Sequence, residues 1–461
     1  MSLRSPHASV EGAVLARFRQ IESGDGALRS LVLVGEAGAL RHARALDDEA
    51  ADGTEPRPLA GLTFVVKDNI DVAGQVTSCA SHGHLGVPAA YDAPVVTRLR
   101  AAGAVLLGRA NMDELAMGAS TATSVHGATR NPHDHRRSPG GSSGGCAAAV
   151  AAGLADLAVG TDTGGSVREP AAQCGVLGLA PSPGLVPVGG VVPFDPTCDR
   201  VGPIAADAGV LAAALATMTG RTPRPVRGTG PGPGSGPGLG LGGSAELAGL
   251  RVGLVTELSD ATNQPGVLAR LHESADRLRA LGAVVRPATV PDAPRALAAY
   301  LDLTSVAAAR ELAPWLAGGR CGPEVVRRLR LGRSLAEHRP GVLAEAAEVR
   351  QRLRAQVAAA LTDHDVLLSP TLPTTAPLFA PAGPPNASVA DPMLAPYTDC
   401  WTVVANLAGV PALSVPAGTS PADGMPVGVM LTGSVGSDDR LVALGALLAR
   451  PCPLPDQPVP D

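Results

Sequence analysis

A glycine-rich stretch that carries two serines, residues 138–170, constrains this chain of 461 residues more than any other segment. It reads SPGGSSGGCAAAVAAGLADLAVGTDTGGSVREP, and a glycine pair precedes both Ser142 and Ser166. The run between the serines predicts a helix of small residues followed by a short strand. Because glycine has no Cβ, such pairs let backbone N–H groups turn inward, as an oxyanion hole requires. A hydroxyl nucleophile is weak without a neighbouring base, so the sequence must also supply that base.

The base is indicated by an unusual composition. The chain has 37 lysines and arginines, and Lys67 in TFVVKDNID is the single lysine among them. Arginine stays protonated in proteins, whereas a buried lysine can lose its proton. Lys67 follows the apolar run 62–66, which predicts burial. We therefore expect Lys67 to act as a base, and not to be one surviving surface lysine.

The polar residues after the lysine leave two interpretations open. Asp68, Asn69 and Asp71 are residue types that form turns, and they could equally form a hydrogen-bonding shell around Lys67.

Charge and cysteine usage exclude several classes of protein. The net charge is −5 and no basic block occurs, so direct binding of nucleic acid is not expected. Seven scattered cysteines without metal-ligand spacing argue against a disulfide framework or a zinc site, and they fit a reducing cytoplasm. The histidines of the loop 126–141 are expected to be solvated. No signal peptide and no membrane span is predicted.

Alternating helical and strand patterns predict an α/β fold. Residues 9–50 are predicted to form two amphipathic helices, with a turn at Gly24–Gly26. The Gly/Pro-rich segment 221–243 is predicted to be a linker or an expanded loop.

The motifs GGSSGG, GTDTGGSVREPA and VKDNID together resemble the amidase signature family. The resemblance covers residues 60–445, and within the family the motifs are most similar to those of the A subunit of glutamyl-tRNA(Gln) amidotransferases. It implies an α/β fold with a large mixed, mostly parallel β-sheet covered by helices on both faces. The implied organisation is an N-terminal helical layer (1–60), an amidase signature domain (61–450) that contains the loop 221–243, and a tail (451–461).

The resemblance also implies a Ser–cis-Ser–Lys triad. Ser166 would be the nucleophile, Ser142 the bridging serine in a cis peptide bond, and Lys67 the base. Two neighbours compete for the nucleophile's role: Ser143 is expected to be a turn residue, and Cys146 a small buried side chain. The implied oxyanion hole is formed by the backbone N–H groups of residues 163–166, namely Thr163, Gly164, Gly165 and Ser166 itself.

For the substrate, the resemblance points to three residues: Asp399 and Arg350 match positions that hold an amino-acid substrate, and Tyr300 is expected to line the same pocket. An acidic and a basic side chain suit a zwitterion. An ordinary salt bridge and a helix-surface arginine are the alternative.

Some positions depart from the pattern of the amidotransferase A subunit. Ala122 stands where a glutamate is usual, Glu169 where a glutamine is usual, and residues 180–182 replace Lys-Pro-Thr. These departures favour a stand-alone amidase that acts on a small amide. The alternatives are a glutaminase subunit that works with partner subunits, and a catalytically idle scaffold. The resemblance implies no metal, nucleotide or organic cofactor.

Overall fold

An eleven-stranded sheet runs through the protein in a computed structural model that describes residues 9–84, 86–221, 247–379 and 400–455. In chain order the described strands are β1 (Leu31–Val34), β2 (Thr63–Lys67), β3 (Val105–Ala110), β4 (Leu157–Asp162), β5 (Leu177–Ala180), β6 (Arg200–Ala205), β7 (Arg251–Val255), β8 (Val284–Ala288), β9 (Val366–Pro370), β10 (Ala412–Thr419) and β11 (Pro426–Thr432).

The spatial order of the strands is β1-β3-β2-β4-β6-β5-β10-β11-β9-β7-β8. Parallel pairings form two blocks, β3-β2-β4 and β9-β7-β8. The remaining pairings of the described strands, including that of β1 with β3, are antiparallel. The predicted α/β class with a large mixed sheet is therefore confirmed.

Helices cover both faces of this sheet. In chain order they are α1 (Val10–Leu28), α2 (Glu36–Ala51), α3 (Pro94–Ala101), α4 (Gly144–Ala151), α5 (Arg168–Cys174), α6 (Ala208–Met218), α7 (Pro265–Ala280), α8 (Ala296–Glu311), α9 (Ala313–Ala317), α10 (Pro323–His338), α11 (Pro340–Asp363), α12 (Val403–Ala408) and α13 (Asp438–Leu448). None of these described helices combines the length and the apolar character needed to cross a membrane.

Side chains of β2 alternate between the two faces, as the period of a strand requires. Phe64 and Val66 pack in the apolar cluster that contains α3, α6, α7 and α13. Val65 packs in the opposite cluster with α1, α2, α4 and α5. The alternation places Lys67, the last residue of β2, on the face of Val65 and α4.

The first 60 residues differ from the expected pair of helices with a turn at Gly24–Gly26. Helix α1 continues through both glycines and ends at Leu28, where Arg29 adopts a left-handed conformation and its N–H bonds the carbonyl of Asp25. The predicted turn is therefore wrong, and the strand β1 that pairs with β3 was not predicted. Residues 222–243 of the Gly/Pro-rich segment and 456–461 of the tail lie outside the described residues, and the division into domains stays a prediction.

Candidate active site

The side chain of Lys67 is wholly buried at the carboxyl end of β2. Its Nζ lies 2.7 Å from Ser142 Oγ, 2.9 Å from Thr161 Oγ1 and 3.4 Å from the Thr161 carbonyl oxygen. No carboxylate of the described residues forms an ion pair with it. Burial lowers the pKa of Lys67 to about 8 because an ammonium group loses its hydration. A substantial neutral fraction near physiological pH makes Lys67 competent as a base.

Ser142 follows a cis peptide bond, Gly141–Ser142, in the loop before α4. Its hydroxyl is fully buried, and its carbonyl accepts a hydrogen bond from the backbone N–H of Asp113 at 3.2 Å. A Cβ on Gly141 would lie 2.1 Å from Asp113 Oδ2, so glycine is required at this contact. The packing of Asp113 against this loop therefore requires glycine directly before Ser142.

Asp113 organises the loop that supports Ser142. Its carboxylate accepts hydrogen bonds from the backbone N–H groups of residues 120–123 and from the hydroxyl of Thr123. The same loop reaches the serine segment, since Thr121 Oγ1 donates to the Gly140 carbonyl at 2.7 Å. Burial raises the pKa of Asp113, while these donors oppose the shift. This carboxylate was not singled out from the sequence.

Ser166 lies in the loop between β4 and α5. The Ser143 N–H donates to the Ser166 carbonyl at 3.1 Å and ties this loop to the Ser142 segment. The Ser166 hydroxyl is partly exposed and makes no hydrogen bond with the described residues. The structure therefore brings Lys67 and Ser142 together directly, and holds Ser166 beside them through its backbone.

The loop 163–166 presents open hydrogen-bond donors. Within the described part of the chain, the backbone N–H groups of these four residues donate to no acceptor. Gly165 has a φ of 148°, and a Cβ there would lie 2.1 Å from Thr402 Oγ1. A Cβ on Gly164 would lie 2.5 Å from the ring of Tyr300. Both glycines allow close packing that leaves the N–H groups free for a developing oxyanion.

A buried ion pair joins the two ends of the loop 163–166, from the last residue of β4 to the first residue of α5. Arg168 donates to Asp162 through Nε and Nη2, both at 3.0 Å, and both side chains are wholly buried. Asn406 and the Val167 N–H also donate to Asp162. Burial alone would raise the pKa of Asp162, but the charge and hydrogen bonds of Arg168, together with the hydrogen bond from Asn406 and the charge of Arg200, lower that pKa to about 2. These contacts connect the residues on both sides of the loop, at the end of β4 and the start of α5.

The residues expected to bind substrate lie at different distances from this loop. Tyr300 is buried and packs on Gly164. Arg350 donates to Thr197 Oγ1 at 2.9 Å and to its carbonyl at 3.2 Å, and its buried Nε has no partner among the described residues. Thr163 Oγ1 donates to Asp199 at 2.6 Å, which links the Thr197 segment to the loop 163–166. Asp399 lies outside the described residues.

A narrow cavity adjoins the loop. Its polar lining residues are Asn69, Thr161, Thr163, Asp199 and Arg200. Its apolar lining residues are Ala116, Val188, Val191, Val192, Phe194 and Val201.

Neither of the two competing residues, Ser143 and Cys146, is placed to act as the nucleophile. Ser143 is fully buried and its hydroxyl donates to the Thr161 carbonyl at 3.2 Å. Burial raises the pKa of the Cys146 thiol to about 12, and the thiolate is the nucleophilic form. Both findings agree with the structural roles expected for them.

The polar residues after Lys67 divide between the two interpretations. Asp68 forms a buried ion pair with Arg109 at 2.6 Å, and Asp71 accepts from Thr77. Only Asn69 reaches the lysine's surroundings, because its Nδ2 donates to Thr161 Oγ1 at 3.0 Å. Thr161 itself was missed, and its place directly before Asp162 and the glycine loop is the signal that would have found it.

The loop histidines are not all solvated, contrary to expectation. His133 is buried and its Nε2 lies 3.1 Å from the Cys174 carbonyl. Burial lowers its pKa. The described residues contain no group of three or more side chains placed to hold a metal ion.

Known proteins are similar to this one along most of the chain. A family model described as Amidase matches residues 13–442. The chain is 39% identical over 468 residues to the A subunit of the glutamyl-tRNA(Gln) amidotransferase of Acidothermus cellulolyticus, and the match covers 95% of this chain and 90% of that protein. A solved structure of a vestigial protein complex, described as revealing the evolutionary origins of an s-triazine catabolic enzyme, superimposes with a TM-score of 0.83 at 32% identity, over 96% of this chain and 95% of that one. The native peptide amidase of Stenotrophomonas maltophilia gives a TM-score of 0.78 at 30% identity, over 98% and 96% of the chains.

Proposed function

The chain belongs to the amidase signature family, and from that premise we propose that it cleaves a carboxamide C–N bond through an acyl-enzyme on Ser166. The observation that carries the proposal is the 2.7 Å contact between Lys67 Nζ and Ser142 Oγ in a fully buried setting. A lysine that has no ion pair among the described residues, and whose pKa burial lowers to about 8, can accept a proton from a hydroxyl.

The proposed acylation runs through a proton relay. The Ser166 hydroxyl turns toward Ser142 and passes its proton to Ser142 Oγ, while Ser142 passes its own proton to Lys67 Nζ. Ser166 Oγ attacks the amide carbonyl, and the open N–H groups of residues 163–166 receive the oxyanion. The proton on Lys67 then returns through Ser142 to the amide nitrogen, which leaves as ammonia or an amine.

Deacylation uses the same groups in the same order. Water gives a proton to Lys67 through Ser142 and attacks the acyl carbonyl, and the carboxylic acid leaves as Ser166 recovers its proton. Every proton is returned, so the cycle needs no cofactor.

For the substrate we favour glutamine, with the chain acting as the glutaminase subunit of an amidotransferase of the glutamyl-tRNA(Gln) type. The support is the 39% identity to the A subunit of such an enzyme over 95% of this chain. Arg350 supports it further, because a guanidinium can pair with an α-carboxylate and its contacts with Thr197 hold it beside the segment that bonds Thr163. Asp399 would receive the α-amino group, and Tyr300 would line the pocket. In this function, the B and C partner subunits would use the ammonia.

A stand-alone amidase for a small amide is the second candidate, and the positions that depart from the amidotransferase pattern favour it. Glu169 places a buried carboxylate in the first turn of α5, where the amidotransferase A subunit has glutamine. The likeness to a peptide amidase supports this alternative as well. We propose a cytoplasmic location for either function, since all seven cysteines are free thiols.

Ammonia release tests the proposal and separates the two candidates. The purified chain is assayed with glutamine, asparagine and simple aliphatic and aryl amides, with Ser166→Ala as the blank. Release from glutamine that rises when the B and C subunits of an amidotransferase are added supports the glutaminase. Release from amides that are not amino acids, with no effect of partners, supports the stand-alone amidase. Release that persists in Ser166→Ala contradicts both.

A further inference from the structure

The contacts of Lys67 define which way its nitrogen can accept a proton. Among the described residues Nζ has three hydrogen-bond partners, and two of them belong to Thr161: the hydroxyl at 2.9 Å and the carbonyl oxygen at 3.4 Å. The third is Ser142 Oγ at 2.7 Å. A neutral amine has two hydrogens and one lone pair. The Thr161 carbonyl can only accept, so it takes one hydrogen, and the other two contacts share the second hydrogen and the lone pair.

The orientation of the Thr161 hydroxyl determines which contact takes the second hydrogen of Lys67 and which faces its lone pair. A hydroxyl oxygen has two lone pairs and one hydrogen. Asn69 Nδ2 donates to Thr161 Oγ1 at 3.0 Å and fills one lone pair. If Lys67 donates to the other lone pair, the hydroxyl hydrogen points away from both nitrogens. The lone pair of Lys67 is then left for the hydrogen of Ser142.

We infer that Asn69 and Thr161 form a positioning pair that keeps the lone pair of Lys67 directed at the Ser142 hydroxyl. The inference rests on the proposed function of Lys67 as a base. Without Asn69, the Thr161 oxygen would lose the hydrogen bond that holds it 2.9 Å from Nζ, and it would be a less fixed acceptor for Lys67. Without the Thr161 oxygen, one N–H of Lys67 would lack its acceptor, and the amine could rotate away from Ser142.

The surroundings of Asn69 support a role beyond its own packing. Its side chain is 3% exposed, yet its Oδ1 has no hydrogen-bond partner among the described residues. A buried amide oxygen that stays unsatisfied costs free energy. The bond to Thr161 is the one side-chain hydrogen bond that Asn69 makes in the described part of the chain.

The test needs no knowledge of the substrate. A fluorophosphonate reacts with an activated serine, whose Oγ displaces fluoride from phosphorus while its proton passes to the base. Its rate constant for labelling Ser166 is measured from about pH 6 to pH 10, a range that spans the titration of Lys67. The variants are Thr161→Val, Thr161→Ser and Asn69→Leu. Thr217→Val is the matched control, because Thr217 is also buried and its hydroxyl donates to the Ala213 carbonyl within α6.

Thr161→Val should slow labelling about 10- to 100-fold, the scale of a misdirected catalytic group. Its pH midpoint should move lower, because protonated Lys67 loses an acceptor. Thr161→Ser should recover most of the rate. Asn69→Leu should lower the plateau and leave the midpoint nearly in place, since the Thr161 acceptor remains. Thr217→Val should match the wild type.

Two results would overturn the inference. One is wild-type labelling by Thr161→Val and Asn69→Leu, and the other is a Thr161→Ser rate as low as that of Thr161→Val. If Thr161→Val does not fold, as thermal unfolding would reveal, Asn69→Leu and Thr161→Ser carry the test. Failure of the proposed function is separate, because labelling would then persist in Ser166→Ala or in Lys67→Met.

Discussion

Lys67 Nζ lies 2.7 Å from Ser142 Oγ, and neither side chain has any exposed surface. The pair joins the end of β2 to the loop before α4, across 75 residues of sequence. A charged amine at such a place costs folding free energy, and a neutral one is a base. Stability and activity should therefore respond in opposite directions when Lys67 is changed.

Replacing Lys67 by methionine should abolish turnover and raise stability at pH 7. The folded protein holds the pKa of Lys67 near 8, below the value near 10.4 of an unfolded chain, so the unfolded state binds more protons between these values. Lys67→Met should therefore raise the free energy of unfolding by at most about 3 kcal/mol, the cost of burying the ammonium group. Stability of the wild type should rise as the pH increases from 8 toward 10.4, and the advantage of Lys67→Met should shrink over the same range. Urea unfolding of both proteins at pH 7 and pH 10 checks this.

Arginine at position 67 should be nearly as inactive as methionine, because a guanidinium stays protonated and cannot relay a proton. We expect turnover to fall by at least about 100-fold, the lower range for loss of a general base. The measurement is ammonia release on a working substrate. Activity of Lys67→Arg within a few-fold of the wild type would mean that position 67 supplies only a positive charge.

The ion pair of Asp162 and Arg168 should contribute strongly to stability. Both side chains are wholly buried, so Asp162→Asn leaves the guanidinium uncompensated and should cost about 3–5 kcal/mol. Because the folded pKa of Asp162 is about 2, its contribution is present above pH 4 and is lost as the pH falls toward 2. Denaturant titration measures the loss. A smaller cost for the double variant Asp162→Asn/Arg168→Leu than for Asp162→Asn is also expected.

Glycine at position 145 should be indispensable, in contrast to Gly26. A Cβ on Gly145 would lie 2.4 Å from the Asn111 carbonyl and 2.5 Å from the Ser30 carbonyl, and backbone atoms cannot move aside cheaply. Gly145→Ala should destabilise the fold by about 1–3 kcal/mol or more. Gly26 in α1 has open space around it, and Gly26→Ala should stabilise the protein by about 0.5–1 kcal/mol. Equal effects of the two variants on thermal unfolding would refute this contrast.

Cysteine 146 should be dispensable for catalysis. Its thiol is buried with a pKa near 12, so it should resist N-ethylmaleimide in the folded protein, and Cys146→Ala should retain turnover within about threefold, as expected for a side chain outside the chemistry. Loss of turnover in a Cys146→Ala variant that still folds would contradict this prediction.

Individual helices and strands could be predicted from the sequence better than the contacts between them. The strand that ends at Lys67 and the helix of small residues after Ser143 follow from residue types alone. The contact of Lys67 with Ser142 was reached through resemblance, because nothing local links residues 75 positions apart. Asp113 and Thr161 were missed for the same reason, since their roles depend on which loops pack together.

The errors also have physical causes. Gly24 and Gly26 suggested a turn, but α1 tolerates both glycines and stops only where Arg29 turns left-handed. His133 has a loop sequence around it and was expected to be solvated, yet the chain packs it against the carbonyl of Cys174. At His133 a tertiary contact overrides the local preference.

The central claim, that Lys67 activates Ser166 through Ser142, is tested most directly by the pH dependence of fluorophosphonate labelling, with the labelled peptide identified by mass spectrometry. The account predicts one adduct, on Ser166, whose rate rises with pH through a midpoint near 8 as Lys67 loses its proton, and no labelling of Lys67→Met. An adduct on another residue, or a Ser166 adduct that forms equally fast in Lys67→Met, would contradict it.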